Sequence, residues 1–317
     1  MTSRDAACHF KFQAVPGFFV DLADRGRQDP TVKATTLPSL GLLEKSFETD
    51  TIPDAAALRH GKTNWERLTD YVEHLNGDGS GSTKYKVLFI TRHGLGYHNS
   101  FESKVGREEW NNHWSQLDGD GTIVWADAKL DKDGIEQAEE LGKIWLDTVT
   151  DEKMPLPGSL YTSPLARCLE TTRLVFAKTF QEQGVKFRPV VKELLRERLT
   201  NHTCDRRSSR SWIETNYPDY LIEPAFSEED RLWTGGCWET MDEHAARKQQ
   251  VLEEIFSTDE NAFVGLSTHS YAISAILRTF GLFEFRVREG STIALFVKAE
   301  IVDSSTRAKG NAQYEAD

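Results

Sequence analysis

The chain has 317 residues, 38% of them hydrophobic, and a formal net charge of −12. That is enough chain for one large α/β domain or a domain with an arm. No stretch approaches the roughly 18 apolar residues of a membrane helix, so no membrane partner is expected, and the acidic balance argues against nucleic acid, whose phosphates need a basic face.

Met1 to Phe12 lacks the basic start and apolar core of a secretory signal. Residues 1–60 show no clear periodicity, yet Phe10, Phe12, Phe18, Phe19 and Val20 are too apolar for a disordered tail. Residues 1–83 are therefore expected to be an arm packed on the core. Within it, Thr63-Asn64-Trp65-Glu66 has capping-box spacing and opens a helix with Trp65, Leu68, Val72 and Leu75 on one face. Residues 77–82, all Gly, Ser or Asp, read as a connector.

From residue 84 to 317 strand and helix signals alternate. Strands are expected at 85–91, 158–162, 187–192, 262–268 and 291–298. Helices are expected after Gly134, with Ile135, Ala138, Leu141, Trp145 and Val149 in a stripe, and at 164–182, 239–256 and 270–280. Such alternation predicts a three-layer α/β/α domain around a mostly parallel sheet. Residues 198–236 interrupt it with Trp212, Tyr217, Tyr220, Phe226 and Trp233, and a long aromatic insertion of this kind reads as a lid that helps select substrate.

Polar residues of catalytic type follow the expected strands. Thr91-Arg92-His93-Gly94-Leu95-Gly96-Tyr97-His98-Asn99 follows Val87-Leu88-Phe89-Ile90. Ser163-Pro164-Leu165-Ala166-Arg167 follows Leu160-Tyr161. Leu194-Leu195-Arg196-Glu197 follows Val190-Val191, and Ser267-Thr268-His269-Ser270 closes the run from Ala262. Ligands of open α/β sheets bind at the carboxyl ends of strands. Two histidines, two arginines and a carboxylic acid there suit phosphoryl transfer, which needs positioning and charge neutralisation more than covalent machinery.

These four motifs, in this order, resemble the histidine phosphatase superfamily, the phosphoglycerate-mutase-like proteins, over roughly residues 84–300. The spelling Arg-His-Gly-x-Gly-Tyr-His-Asn is similar to branch 1 and its fungal and plant phosphatase-like members. Thr200-Asn201-His202-Thr203-Cys204-Asp205-Arg206-Arg207 strengthens that likeness. The resemblance implies a phosphoglycerate-mutase-like fold, His93 as nucleophile, Arg92, Asn99, Arg167 and His269 as phosphate-binding residues, and Glu197 as general acid. Glu193 is the rival acid, four residues earlier. A cationic His269 is expected beside a dianionic phosphate.

No resident cofactor or metal is expected. Asp118-Gly119-Asp120-Gly121 lacks the later ligands of a calcium loop and reads as a turn. The cysteines, Cys8, Cys168, Cys204 and Cys237, lack CxxC spacing and read as unpaired thiols, which argues against zinc or disulfide frameworks and fits a reducing cytoplasm. Arg196, Arg198, Arg206, Arg207 and Arg210 look like a local basic cluster for a phosphate ester, and His98 and His202 are candidate substrate contacts. The expected activity is metal-independent hydrolysis of a small phosphate monoester through a phosphohistidine. The alternatives are a phosphoglycerate mutase-type phosphotransferase and a non-catalytic phospholigand-binding protein. Substrate identity and oligomeric state stay open.

Overall fold

The computed structural model describes residues 9–29, 31–51, 61–77, 81–236 and 238–302. Cys8, Cys237, residues 78–80 of the expected connector and both chain ends lie outside the described residues. In chain order the strands and α-helices are β1 (His9–Ala14), α1 (Leu22–Gln28), α2 (Asn64–Gly77), β2 (Thr83–Arg92), α3 (Tyr97–Val105), α4 (Arg107–Asn112), α5 (Lys132–Asp151), β3 (Ser159–Thr162), α6 (Ala166–Glu182), β4 (Val190–Val191), α7 (Arg210–Asn216), β5 (Leu221–Ile222), α8 (Met241–Thr258), β6 (Phe263–Thr268), α9 (Ser270–Thr279) and β7 (Ser291–Val302).

One seven-stranded sheet runs β1-β7-β2-β6-β3-β4-β5. From β2 to β5 every pairing is parallel. β7 lies antiparallel on β2, and β1 antiparallel on β7. The fold is mixed α/β with a mostly parallel central sheet. Its two faces carry separate cores, because successive side chains of a strand point to opposite sides. Leu88 and Ile90 of β2 pack with Val251, Leu252 and Ile255 of α8 and Ile273 and Leu277 of α9. Val87 and Phe89 pack with Trp65 and Leu68 of α2, Leu141 and Trp145 of α5, and Phe176 of α6.

Local sequence explains the element ends. The Thr63 amide donates to Glu66 Oε2 at 2.8 Å and the Glu66 amide donates back to Thr63 Oγ1 at 3.2 Å, closing the expected box at the start of α2. Thr240 and Glu243 form the same reciprocal cap on α8, so this helix starts at Met241 rather than 239. β4 is only two residues long, not the six expected at 187–192. Pro189 lies just before it and has no amide hydrogen to give the ladder. β1 was not visible as a strand, because Phe10 and Phe12 alternate with polar residues for only two cycles.

Residues 198–236 are largely built into the sheet edge. They supply α7 and β5, and Ile213, Tyr217, Tyr220 and Phe226 pack on Leu169 and Val191. Asp118–Gly121 is a turn in which Asp120 Oδ1 accepts from the amides of Thr122 and Ile123 at 2.8 and 2.7 Å. Among the described residues no helix is long and apolar enough to cross a membrane.

Candidate active site

β2, β6 and β3 are parallel neighbours, so their carboxyl ends open side by side. His93 follows β2, His269 follows β6, and Arg167 lies in the first turn of α6 just beyond β3. A pocket of about 540 Å³ forms over these ends. Its wall includes Arg92, His93, Asn99, Arg167 and Glu197. His269 is fully buried behind it, its ring centroid 5.0 Å from that of His93.

His93 is fixed by its own loop. Nδ1 lies 2.7 Å from the Gly94 carbonyl oxygen. A carbonyl only accepts, so the proton sits on Nδ1 and Nε2 keeps its lone pair. Burial, then the charges of Arg167 and Arg92, hold the ring well below the usual histidine range, hence neutral. Gly94 is required by a backbone contact: a Cβ there would lie 2.3 Å from the Gly134 carbonyl oxygen at the start of α5, and a Cβ on Gly134 would lie 2.0 Å from the Leu95 oxygen. Gln137 of α5 completes the join, its Oε1 accepting from the Leu95 amide at 2.9 Å.

Arg167 is clamped at three points. Its Nε donates to His269 Nδ1 at 3.2 Å, and one terminal nitrogen donates to the Cys204 carbonyl at 2.7 Å. The other lies 3.4 Å from Asp205 Oδ1. Since His269 Nδ1 accepts, it carries no proton, and the ring is neutral in this structure. Burial and then Arg167 push its pKa well down. The cation expected from sequence requires that bond to break, which a phosphate drawing on the Arg167 donors would favour. Asp127 positions α6 from below: its carboxylate accepts from the Ala166 amide at 2.8 Å and the Ser208 amide at 2.9 Å.

Arg92 is buried, held by Glu289 at 2.9 Å and the Val287 carbonyl at 2.7 Å, and its Nε has no partner among the described residues. Asn99 gives its side-chain oxygen to the Gly96 amide at 3.2 Å, which leaves its NH₂ unengaged among the described residues.

The two candidate acids separate cleanly. Glu193 is bound by Arg196 at 2.9 Å and Arg207 at 2.8 Å, away from the pocket wall. Glu197 lines the pocket and accepts from the Tyr271 and Ala272 amides at 3.2 and 3.0 Å, at the start of α9. Burial first, then the charge of Asp205, raises its pKa, against those backbone donors. A carboxyl that holds its proton toward neutral pH is what a general acid needs.

The expected arginine cluster is not one cluster. Arg196 is buried against Asp230 at 2.7 Å, Arg206 pairs with Asp118 at 2.8 Å, and Arg210 pairs with Glu214 at 2.9 Å. These arginines and Arg207 are spent on carboxylates and loop carbonyls. Arg198 alone of the group reaches the pocket wall. Sequence reasoning missed Arg286, also at the wall. Both guanidiniums lie over the Tyr271 ring, at 4.8 and 5.4 Å, and neither has a carboxylate partner among the described residues. Both are therefore available to an anion. His98 is largely buried and lines the pocket beside His93, at 6.0 Å between ring centroids. Cys204, from the turn Thr203–Asp205, and His202, the residue before it, also line the pocket.

Comparison with known proteins identifies the family. The family model described as histidine phosphatase superfamily (branch 1) matches residues 106–293. A probable phosphoglycerate mutase of Arthroderma benhamiae is 40% identical over 289 residues, covering 91% of this chain and 84% of that protein. A probable phosphoglycerate mutase of Saccharomyces cerevisiae is 31% identical over 283 residues, covering 84% and 88%. The solved structure of a mycobacterial glucosyl-3-phosphoglycerate phosphatase with VO3 is 18% identical, with a TM-score of 0.39 over 68% of this chain and 98% of that one. With 40% identity across nine-tenths of its length, and with the family model spanning more than half of it, the chain belongs to branch 1 of the histidine phosphatase superfamily.

Proposed function

We propose that the chain is a metal-independent phosphatase of small-molecule phosphate monoesters, working through a phosphohistidine on His93. The observation that carries the reading is the Nδ1 contact of His93 with the Gly94 carbonyl at 2.7 Å, in a pocket that also presents Arg92, Arg167 and Glu197. It leaves Nε2 as a neutral nucleophile among cations.

In the first step Nε2 attacks phosphorus and the P–O bond to the leaving group breaks. Arg92, Arg167 and Asn99 hold the non-bridging oxygens, with His269 joining as Arg167 turns to the phosphate. The leaving alkoxide takes the Glu197 proton. In the second step water attacks phosphorus, Glu197 takes its proton, and the P–N bond breaks to release phosphate. Arg198 and Arg286 face the remainder of the ester and favour an anionic one.

The second reading is phosphotransfer to another hydroxyl, favoured by the names of the two fungal relatives. The steps are shared until water or a hydroxyl takes the phosphoryl group. The test supplies a panel of phosphorylated metabolites to the EDTA-treated enzyme and measures inorganic phosphate alongside isomerised ester. Phosphate release supports hydrolysis. Isomerised ester with no phosphate released overturns it.

A further inference from the structure

We propose that His202, Cys204 and Asp205 form a zinc-binding site on the pocket wall, and that filling it inhibits the enzyme. The three ligand atoms lie within 4.8 Å of one another. All three residues fall within four positions, the segment of Thr203–Asp205 and the residue before it. A nitrogen, a sulfur and a carboxylate oxygen are the donors zinc takes.

The backbone of the turn is already anchored without an ion. Arg167 donates to the Cys204 carbonyl at 2.7 Å, Arg196 donates to that of Asp205, and Thr203 Oγ1 donates to the Leu117 carbonyl at 2.6 Å. The His202 carbonyl accepts from Trp233 Nε1 at 3.0 Å, and its ring stands edge-on to Trp110 and Trp238 at 6.0 and 5.2 Å. The side chains are fixed but not satisfied. His202 Nε2 is buried with no hydrogen-bond partner among the described residues. Cys204 Sγ has only a 3.9 Å contact with Asp205 Oδ1. Asp205 Oδ2 is taken by Thr200 Oγ1 at 2.6 Å, while Oδ1 has the long 3.4 Å approach of Arg167.

Zinc bonds of about 2.0–2.3 Å would draw these atoms together by roughly an ångström. Cys204 would lose its proton to water. The thiolate and the carboxylate then carry the two negative charges that match the ion, and a neutral imidazole is the third ligand. His202, Cys204 and Asp205 all line the pocket, which leaves room for water as the fourth ligand.

Inhibition follows from two neighbours of the site. Asp205 drawn onto zinc gives up its 3.4 Å contact with Arg167, so Arg167 loses one of its three anchors, and the filled site narrows the wall past which the ester must reach His93. The inhibitory half rests on the phosphatase reading, whereas the binding half does not.

The experiment titrates cobalt(II) into the metal-free full-length protein and follows the thiolate-to-cobalt charge-transfer absorption, then displaces it with zinc. One equivalent should bind. Cys204→Ser should lose the band. His202→Ala, a change at a half-buried position, should weaken binding by at least about 100-fold, beyond the 10–100-fold typical of outer-shell partners. Phosphate release should fall as cobalt fills the site, with the same midpoint as the band, stay low when zinc displaces the cobalt, and recover with EDTA. Each variant is compared with its own metal-free rate and should resist zinc. No thiolate band overturns the site. A band without zinc inhibition, or inhibition equal in parent and variants, overturns the regulatory role. Failure of phosphatase activity itself leaves the cobalt readout standing, so the two readings fail separately.

Discussion

Lys248 Nζ donates to the Arg196 carbonyl, one residue before Glu197, at 2.6 Å and to that of Leu194 at 2.5 Å. Arg247, next to it on α8, donates to the Glu197 carbonyl at 2.8 Å. The loop that carries the proposed acid is therefore held by two basic side chains of a helix that, among the described residues, gives none to the pocket wall. Lys248→Met removes one clamp and leaves Arg247. It should cost about 1–3 kcal/mol of stability, the range for leaving a buried polar group unsatisfied, read by denaturant melts. It should also lower kcat on alkyl phosphates more than on nitrophenyl phosphate, because it acts through Glu197. An equal loss on both esters would assign Lys248 a purely structural role.

His93→Ala should lower phosphate release by about a thousandfold or more, since a covalent nucleophile is worth orders of magnitude. Acid quenching of the native enzyme with labelled ester should leave acid-labile, base-stable phosphate on His93. A variant keeping about a tenth of native activity would remove His93 from the mechanism.

Glu197→Gln should slow alkyl phosphates by about 100- to 10,000-fold, the usual worth of a general acid, and spare nitrophenyl phosphate, whose leaving group departs unprotonated. Glu193→Gln should show no such selectivity, because its carboxylate serves Arg196 and Arg207. Selectivity in Glu193→Gln alone would reverse the assignment.

The pH profile has a definite sense. Glu197 must be protonated, and its pKa is raised by burial, so activity on alkyl esters falls as pH rises through that value. His93 must be neutral, and its pKa is pushed well below 6.5, so the acid side should hold below that pH. Steady-state kinetics of kcat/KM against pH read both limbs. Loss of activity as pH drops through 6.5, with the protein still folded, would place a cationic His93 in the pocket.

Asp127→Asn keeps the shape of the residue that accepts from the Ala166 and Ser208 amides. It can place only one acceptor oxygen where two are used. Stability should drop by about 0.5–2 kcal/mol, as for lost helix caps, and KM should rise as Arg167 loses its anchor. An unchanged KM would show that Arg167 is held by Cys204, Asp205 and His269 alone.

The sheet and the strand-end residues could be read from sequence because β2 and β6 are continuous apolar runs, so the residue after each run had to leave the sheet at its carboxyl end. Glu197 and Glu193 could be ranked but not separated, since both follow the same short strand. Their difference comes from Arg207, across the next loop, and from the first turn of α9, more than 70 residues further along the chain. The arginines of 196–210 were misread together because charge pattern does not tell which guanidiniums meet carboxylates. His202, Cys204 and Asp205 were missed as a group, since one tight turn rather than a familiar ligand spacing brings them together. Arg286 had no local signal at all.

The meeting of Gly94 and Gly134 makes the depth of the nucleophile a matter of backbone thickness. No rotamer lies between them to relax, so the floor under His93 moves only if α5 moves. A single methyl at either position would work as a wedge between the His93 loop and α5, displacing the imidazole without removing any catalytic group. The spacing that governs reaction is thus set by two residues that present no chemistry to the substrate, and the helix behind them acts as its gauge.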